Sequence, residues 1–218
     1  METERKPLRA DAERNRRRLI AAATEMFCER GLEVGVGEIA ESAGVGRGTL
    51  FRNFPTKEHL IAAIVVERMS ELAGRGRERM ADEDPGEALF AILEESIGPA
   101  QQTDRALFEA LDDAWLENDD IRAGHAELLG VLDALVSRAQ AAGAIRADVG
   151  AIDVLCMTKG VCEASRHFEH LDPGIAARQF DLVRAALTDT SNRWPVRAGS
   201  ATAAEVGPGR RSSEQLLS

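Results

Sequence analysis

Cysteine is scarce in this sequence of 218 residues, and its distribution argues against two classes of small domain. Only three cysteines occur, Cys28, Cys156 and Cys162, an odd number without regular spacing. A disulfide framework needs paired cysteines, and a zinc knuckle needs regularly spaced ligands. We therefore expect neither, and we expect the three thiols to be small core side chains.

Long apolar runs are also absent. No segment approaches the roughly 20 apolar residues that a bilayer-spanning helix requires. The N-terminal stretch METERKPLRADAERNRRR lacks the apolar segment of a signal peptide. Hydrophobic residues nevertheless make up 44% of the chain, which is enough to bury a core. The sequence predicts a soluble, cytoplasmic protein with no membrane partner.

Basic residues are fewer than acidic residues overall, which gives a formal net charge of -10, but the basic residues are unevenly distributed. Residues 1–60 carry 11 Lys or Arg and 10 Asp or Glu, whereas the rest of the chain carries 16 and 27. A polyanion is therefore expected to approach the N-terminal end alone. The basic residues that cluster there are Arg5, Lys6, Arg9, Arg14, Arg16, Arg17 and Arg18.

Apolar residues recur at helical spacing almost throughout, and no segment reads as a strand. Glycine and proline then set the predicted helix boundaries. The predicted helices cover about Asp11 to Arg30, Val36 to Ala43, Arg47 to Phe54 and Lys57 to about Met80. Further helices are expected from Asp84-Pro85 to Gly98, from Thr103 to beyond Trp115, from about Ile121 to Gly143, from about Val149 to His170, and from Asp172-Pro173 to beyond Leu187.

These helices divide the chain into four regions. The last region is rich in Ser, Gly, Ala and Arg and has no apolar period, so we expect it to be disordered. The predicted regions are a basic flexible arm (residues 1–10), a helix-turn-helix domain (11–56), a helical dimerisation and effector domain (57–189) and the disordered tail (190–218).

The stretch EIAESAGVGRGTLFRNFPTK holds two short predicted helices joined at Gly44-Val45-Gly46. This arrangement is typical of a helix-turn-helix, in which a second helix reads the major groove of DNA. A phosphate-binding glycine loop is the alternative. We disfavour it because GVGRG follows no strand and lacks the Lys-Ser/Thr ending of a P-loop.

The stretch GEIAESAGVGRGTLFRNFPTKEHLIAAI and the preceding AATEMFCERG resemble the DNA-binding domain of the TetR family of bacterial transcriptional regulators. The resemblance implies an all-α homodimer with an N-terminal three-helix helix-turn-helix domain, joined by a long fourth helix to a larger helical dimerisation and ligand-binding domain. It also implies a repressor that binds a palindromic operator in double-stranded DNA and leaves it when a small-molecule effector binds. No cofactor, metal or catalytic activity is expected.

The N-terminal residues of a recognition helix face the base edges. We expect Arg47 to contact a guanine, Gly48 to allow close approach of the backbone, and Thr49 to meet a base or a thymine methyl group. Arg52 and Asn53 lie further along the helix. They are expected to reach bases or phosphates.

Contacts to the DNA backbone are expected from Lys57, at the start of the fourth helix, and from an arginine-rich arm. Relative to the family pattern, Phe51 replaces a tyrosine whose hydroxyl bonds a phosphate, and Gly35 and Gly46 replace capping Ser or Thr residues. We expect Arg14 and Arg16 to Arg18 to compensate for these losses. The candidate DNA-contacting residues are Arg16, Arg17, Arg18, Gly35, Arg47, Gly48, Thr49, Phe51, Arg52, Asn53 and Lys57.

The C-terminal helices supply two further candidate sites. An apolar cavity between helices would hold the effector, and the last two helices would pair with those of a second copy. Many of these apolar residues are equally typical of an ordinary core. The candidate ligand residues are Phe90, Leu93, Phe108, Leu111, Asp112, Trp115, Met157 and Val161. The candidate interface residues are Ile152, Leu155, Cys156, Phe168, Phe180, Val183 and Leu187.

Functions of other classes have weaker support. Cys162, Glu163, His167 and His170 lie close together, and Glu163 and His167 stand one helical turn apart. A metal-responsive or ligand-independent regulator of the same fold is therefore an alternative. An enzyme would need a motif that the sequence lacks, and a helical scaffold for protein partners would leave the basic, glycine-rich head without a purpose.

Overall fold

The computed structural model describes residues 5–96, 107, 118–168 and 170–189, and this part of the chain is helical without a strand. The eight helices are α1 (Arg5–Arg30), α2 (Val36–Ser42), α3 (Arg47–Asn53), α4 (Lys57–Arg79), α5 (Pro85–Glu95), α6 (Asp119–Ala141), α7 (Ala151–Phe168) and α8 (Ile175–Thr188). The all-α prediction is confirmed. The helix predicted from Thr103 and the predicted disordered tail lie outside the described residues.

The chain forms two compact units. The first comprises Met1–Glu71 and Pro99–Gly124, and the second comprises Leu72–Gly98 and His125–Ser218. Among the described residues, no helix combines the length and the apolar character that a bilayer crossing requires.

Helix α1 begins at Arg5, earlier than the predicted start near Asp11, and residues 1–4 of the predicted arm lie outside the described residues. Pro7 lies in the first turn of the helix. The N–H groups of that turn have no acceptor within the helix, so a proline without an N–H group loses no hydrogen bond there. Further along, Arg14 pairs with Asp11 at 2.7 Å, and Arg17 pairs with Glu13 at 3.0 Å. Such pairs one turn apart support a helix whose surface is polar almost all round.

The predicted helix-turn-helix is present, with boundaries within one residue of those expected. Gly35 and Gly46 are the N-caps of α2 and α3, and Gly44 turns the chain with φ +60°. Few side chains tolerate that left-handed conformation, so Gly44 is required by the backbone. Phe54 ends α3 in an extended conformation because Pro55 follows it.

The first unit is held together by apolar side chains of α1, α2 and α3. Each of these three helices packs against the other two. The buried residues that form this core include Leu19, Ala23, Phe27, Ile39, Leu50, Phe54, Leu60 and Ile64. The core fixes where the two ends of α3 lie, so it also fixes the surface that α3 presents.

The second unit has a separate core, built from α5 to α8. Asp84 caps α5 by accepting hydrogen bonds from the N–H groups of Gly86 (2.8 Å) and Glu87 (3.0 Å). Helix α8 begins at Ile175, later than the predicted Asp172-Pro173. The Asp172 carboxylate instead accepts bonds from the Gly174 N–H and from Arg178, both at 3.1 Å, in the turn before the helix.

Two cysteines correct the expectation of buried thiols. Cys28 and Cys156 are exposed, whereas nothing is described for the Cys162 side chain. Cys28 follows the buried Phe27, and one step along a helix turns a side chain by about 100°. Composition alone does not show on which side of a helix a cysteine falls.

Candidate nucleic-acid interface

The N-terminus of α3 is an exposed surface. Arg47 and Gly48 are exposed, and Thr49 is half-buried. The Arg47 guanidinium lies against Gly37 of α2, where a methyl group would come within 2.5 Å of Nη2. The part of the recognition helix that the sequence assigns to base edges is therefore accessible.

Three consecutive arginines of α1 point to three different places, because successive helical side chains are about 100° apart. Arg16 is half-buried, with its guanidinium 4.8 Å from the centre of the Phe54 ring. Arg17 is paired with Glu13. Arg18 lies against the turn between α2 and α3, where a methyl group on Gly44 would come within 2.6 Å of its Nη2.

The later polar residues of α3 bond back to their own helix. Arg52 donates to the Gly48 carbonyl and to the Thr49 hydroxyl, both at 3.1 Å. Asn53 donates to the Thr49 carbonyl at 2.8 Å. These bonds hold Arg52 and Asn53 along the helix, so each must reorient or use its remaining donors to reach DNA.

Lys57 has an internal role that the sequence did not indicate. It is half-buried, its ammonium donates to the Leu32 carbonyl, and it lies 5.6 Å from the centre of the Phe27 ring. The residue thus fastens the start of α4 to the end of α1. An ammonium has three donors, which leaves others for a phosphate.

Glu38 compensates for the missing side-chain cap at Gly35. Its Oε1 accepts from the Gly35 N–H at 3.3 Å, and its Oε2 accepts from Arg30 at 2.7 Å. The Arg30 hydrogen bond, followed by that of Gly35, lowers the pKa of the Glu38 carboxyl. Gly35, a candidate DNA contact, therefore uses its N–H group within α2.

Phe51 also lies on the surface of α3, with 49% of the residue exposed. It carries no polar atom on its side chain, so it can offer DNA only an apolar contact. Tyrosine is absent from the whole sequence.

Arg18 and Arg47 differ from the other described arginines of this region. Neither makes a hydrogen bond, an ion pair or an aromatic ring contact within the part of the chain that the structure describes, whereas Arg16 makes a ring contact with Phe54 but no hydrogen bond or ion pair there. Both lie against the helix-turn-helix, at Gly44 and Gly37. A guanidinium has five N–H donors, and these two retain all five for another molecule. The arginines that are occupied internally are Arg14, Arg16, Arg17, Arg30 and Arg52.

The candidate effector residues are divided by the structure. Phe90 and Leu93 are 2% exposed and belong to the core of the second unit, and neither lines the groove described next. Met157 and Val161 line an open groove of about 550 Å³ between α7 and α8. Phe108, Leu111, Asp112 and Trp115 lie outside the described residues.

One polar group stands out in this groove. Ser165 lines it and is only 3% exposed, and its Oγ has no hydrogen-bond partner in the described part of the chain. The other side chains of the lining are mainly apolar, with Gln179 as an amide at the side. The groove suits an apolar molecule that carries one hydrogen-bonding group.

The candidate interface residues are also divided. Phe180, Val183 and Leu187 are buried within the chain, which corrects their assignment to a surface for a second copy. Ile152 and Leu155 are half-buried, and Cys156 and Phe168 are exposed. The sequence did not single out Leu171 and Leu182, two large apolar residues that are 72% and 61% exposed. Helical periodicity identifies an apolar face but not what covers it.

As far as the side chains of α7 are described, its His and Glu residues form no metal cluster. Nδ1 of His167 lies 3.3 Å from the backbone carbonyl of Glu163. In the described residues, no group of three or more His, Cys, Asp or Glu side chains is placed to hold an ion.

Family models match both units. Residues 19–64 match the model of bacterial regulatory proteins of the tetR family, and residues 84–188 match that of the SbtR-like transcriptional regulator C-terminal domain. The HTH-type transcriptional repressor KstR of Rhodococcus jostii (strain RHA1) is 32% identical over 135 residues. That match covers 61% of this chain and 63% of the repressor, a little under two thirds of its length.

Solved structures agree over a larger part of the chain. A TetR transcription regulatory protein from Mycobacterium vanbaalenii is 33% identical with a TM-score of 0.64, and the match covers 84% of this chain and 99% of that one. A TetR transcriptional regulator from Streptomyces coelicolor is 32% identical with a TM-score of 0.63, over 79% and 98% of the two chains. With its helix-turn-helix and its helical C-terminal unit, the chain belongs to the TetR family of bacterial transcriptional regulators.

Proposed function

We propose that this regulator is a repressor that binds a palindromic operator as a homodimer and releases it when a small-molecule effector binds. The observation that carries the proposal is the pair Arg18 and Arg47, which lie beside the helix-turn-helix and have no acceptor within the described ranges of the chain. The related KstR proteins, which are named as repressors, support this direction of regulation.

In this proposal Arg47 reads a guanine, because a guanidinium can donate two parallel bonds to the O6 and N7 acceptors of that base. Arg18 contacts a phosphate next to the same half-site. Arg17 is proposed to make no DNA contact, since it is paired with Glu13. Arg16 packs the face of its guanidinium on Phe54 and keeps its N–H donors, so it remains a proposed phosphate contact. Repression then follows from occupancy of the operator, which excludes polymerase.

The homodimer is proposed to form through exposed apolar side chains of α7 and α8, with Phe168 and Leu182 as its main contributors. A single short recognition helix contacts few base pairs, so two heads are needed for a specific site. Two heads one DNA turn apart, about 34–36 Å, match an inverted repeat.

Effector release is proposed to start at the groove between α7 and α8, where Met157, Val161 and Ser165 supply an apolar wall and a hydroxyl. A ligand that binds better to the state unable to engage both half-sites draws the dimer from the operator.

The proposal is tested by selecting duplexes from a random pool with the purified full chain. We expect enrichment of an inverted repeat whose half-site contains a guanine, and binding that weakens steeply with salt. Enrichment of a single unrepeated site would contradict the dimer, and no enrichment would contradict sequence-specific binding. A matched selection with Arg47→Ala shows whether the preference for guanine depends on that residue.

A further inference from the structure

Gly37 is a glycine inside a helix with no backbone reason to be there. It lies in the first turn of α2, and the described glycines with positive φ are Gly31, Gly44 and Gly143. An ordinary helical position is more stable with alanine than with glycine. The reason for a glycine at position 37 is therefore sought in the side chain that lies beside it.

The Arg47 guanidinium lies over Gly37. A methyl group there would come within 2.5 Å of Nη2, 2.9 Å of Cζ and 3.0 Å of Nε. These three atoms span the planar group, so the contact involves the whole guanidinium and not only its tip. Arg47 has no hydrogen bond or ion pair within the described residues, and its guanidinium lies beside the bare Cα of Gly37.

We propose that Gly37 is a positioning residue that sets the base specificity of Arg47. The inference rests on the proposed function, because it concerns how the recognition arginine meets its base. Arginine has a long side chain with many rotamers, and a two-bond contact to guanine needs one orientation of its planar fork. Gly37 provides a flat place on α2 that limits those rotamers before DNA arrives.

A side chain at position 37 removes this place. In Gly37→Ala the guanidinium must leave α2, so Arg47 samples more orientations and discriminates less well between guanine and other bases. The α2 backbone should be no less stable, because alanine favours a helix. A loss of specificity without a loss of stability separates positioning from a structural role.

The test is a double-mutant cycle on the selected duplex and on a duplex with the half-site guanine replaced. Arg47→Ala is expected to lower the guanine preference about 5- to 150-fold, the range of a two-bond base contact. Gly37→Ala should lower it at least about threefold, and it should have no further effect in the Arg47→Ala background. Gly130→Ala is the control, since Gly130 is an exposed helical glycine with open space around it.

A second readout needs no DNA. The Arg47 Nε–H resonance, assigned by its loss in Arg47→Ala, should shift in Gly37→Ala and stay in place in Gly130→Ala. An unshifted resonance, or equal losses of guanine preference in both Arg47 backgrounds, would overturn the inference. Failure of the wild-type chain to select any duplex, with the resonance shifted as expected, would instead contradict the proposed function.

Discussion

The two units use arginine differently. In the second unit, Arg75 and Arg79 bond Glu95 at 2.8 Å and 2.6 Å, and Arg184 pairs with Glu87 across the chain. In the first unit, Arg18 and Arg47 lie on the surface of the helix-turn-helix with no such acceptor among the residues that the structure describes. Among the described residues, these arginines of the second unit are paired with carboxylates, whereas Arg18 and Arg47 of the first unit are available to a partner.

Exposed apolar side chains are distributed in the opposite way. Phe168, Leu171 and Leu182 project from the second unit, and Phe51 is the corresponding residue of α3. A polyanion such as DNA binds unpaired basic side chains, whereas a protein partner binds exposed apolar surface. The contrast therefore indicates which kind of partner each unit is suited to, and it can be tested on either side.

The largest effect is expected at the apolar surface of α7 and α8. Phe168→Asp removes a large apolar group and adds a charge that loses solvation when buried, so the dissociation constant of the dimer should rise at least about tenfold. Sedimentation velocity across a concentration series measures this change. Met80→Asp is the control, because Met80 is 37% exposed and lies outside α7 and α8. A monomeric wild type, or equal effects of both variants, would contradict this interface.

A smaller effect is expected from pH in the second unit. Burial, followed by the charge of Lys159, lowers the pKa of His125 below 6.5. The unfolded chain then takes up the proton first, so stability falls as pH drops from about 6.5 through the folded pKa. The free energy of unfolding should therefore be lower at pH 5 than at pH 7.

Denaturant unfolding at several pH values detects the His125 effect. His125→Gln should flatten the dependence of unfolding free energy on pH between 7 and 5, and His167→Gln, at an exposed position, is the control. This window lies above the range of Glu95, whose pKa is lowered below 4.5 by the Arg79 hydrogen bond and, after it, that of Arg75. If the pH dependence of the unfolding free energy is unchanged in His125→Gln, His125 does not contribute to it.

The helices could be predicted from sequence because their determinants are local. Gly31 and Gly44 end helices through positive φ, Asp84 caps α5, and Pro55 stops α3. The position of the recognition helix followed from these signals and from the family motif. The helix α1 starts before the predicted Asp11, at Arg5, in a polar stretch where no apolar period marks a boundary.

The roles of single side chains were less predictable, because they depend on what packs across helices. Periodicity put Phe180 and Leu187 on an apolar face, but their own chain covers that face. A run of three arginines gave no sign that Arg16 would lie on Phe54 while Arg18 reached Gly44. The role of Gly37 could not be predicted from sequence, because it depends on a side chain from another helix, Arg47, that lies against it.

The most direct test of the contrast between the two units is the salt dependence of operator binding by three arginine variants. Fluorescence anisotropy of the selected duplex would compare Arg18→Ala, Arg47→Ala and Arg17→Ala over a salt series. We predict that Arg18→Ala reduces the slope of log affinity against log salt by about 0.9, that Arg47→Ala also lowers the guanine preference, and that Arg17→Ala leaves both near wild type. Equal slope losses in Arg17→Ala and Arg18→Ala would contradict the claim that internal pairing separates structural from DNA-facing arginines.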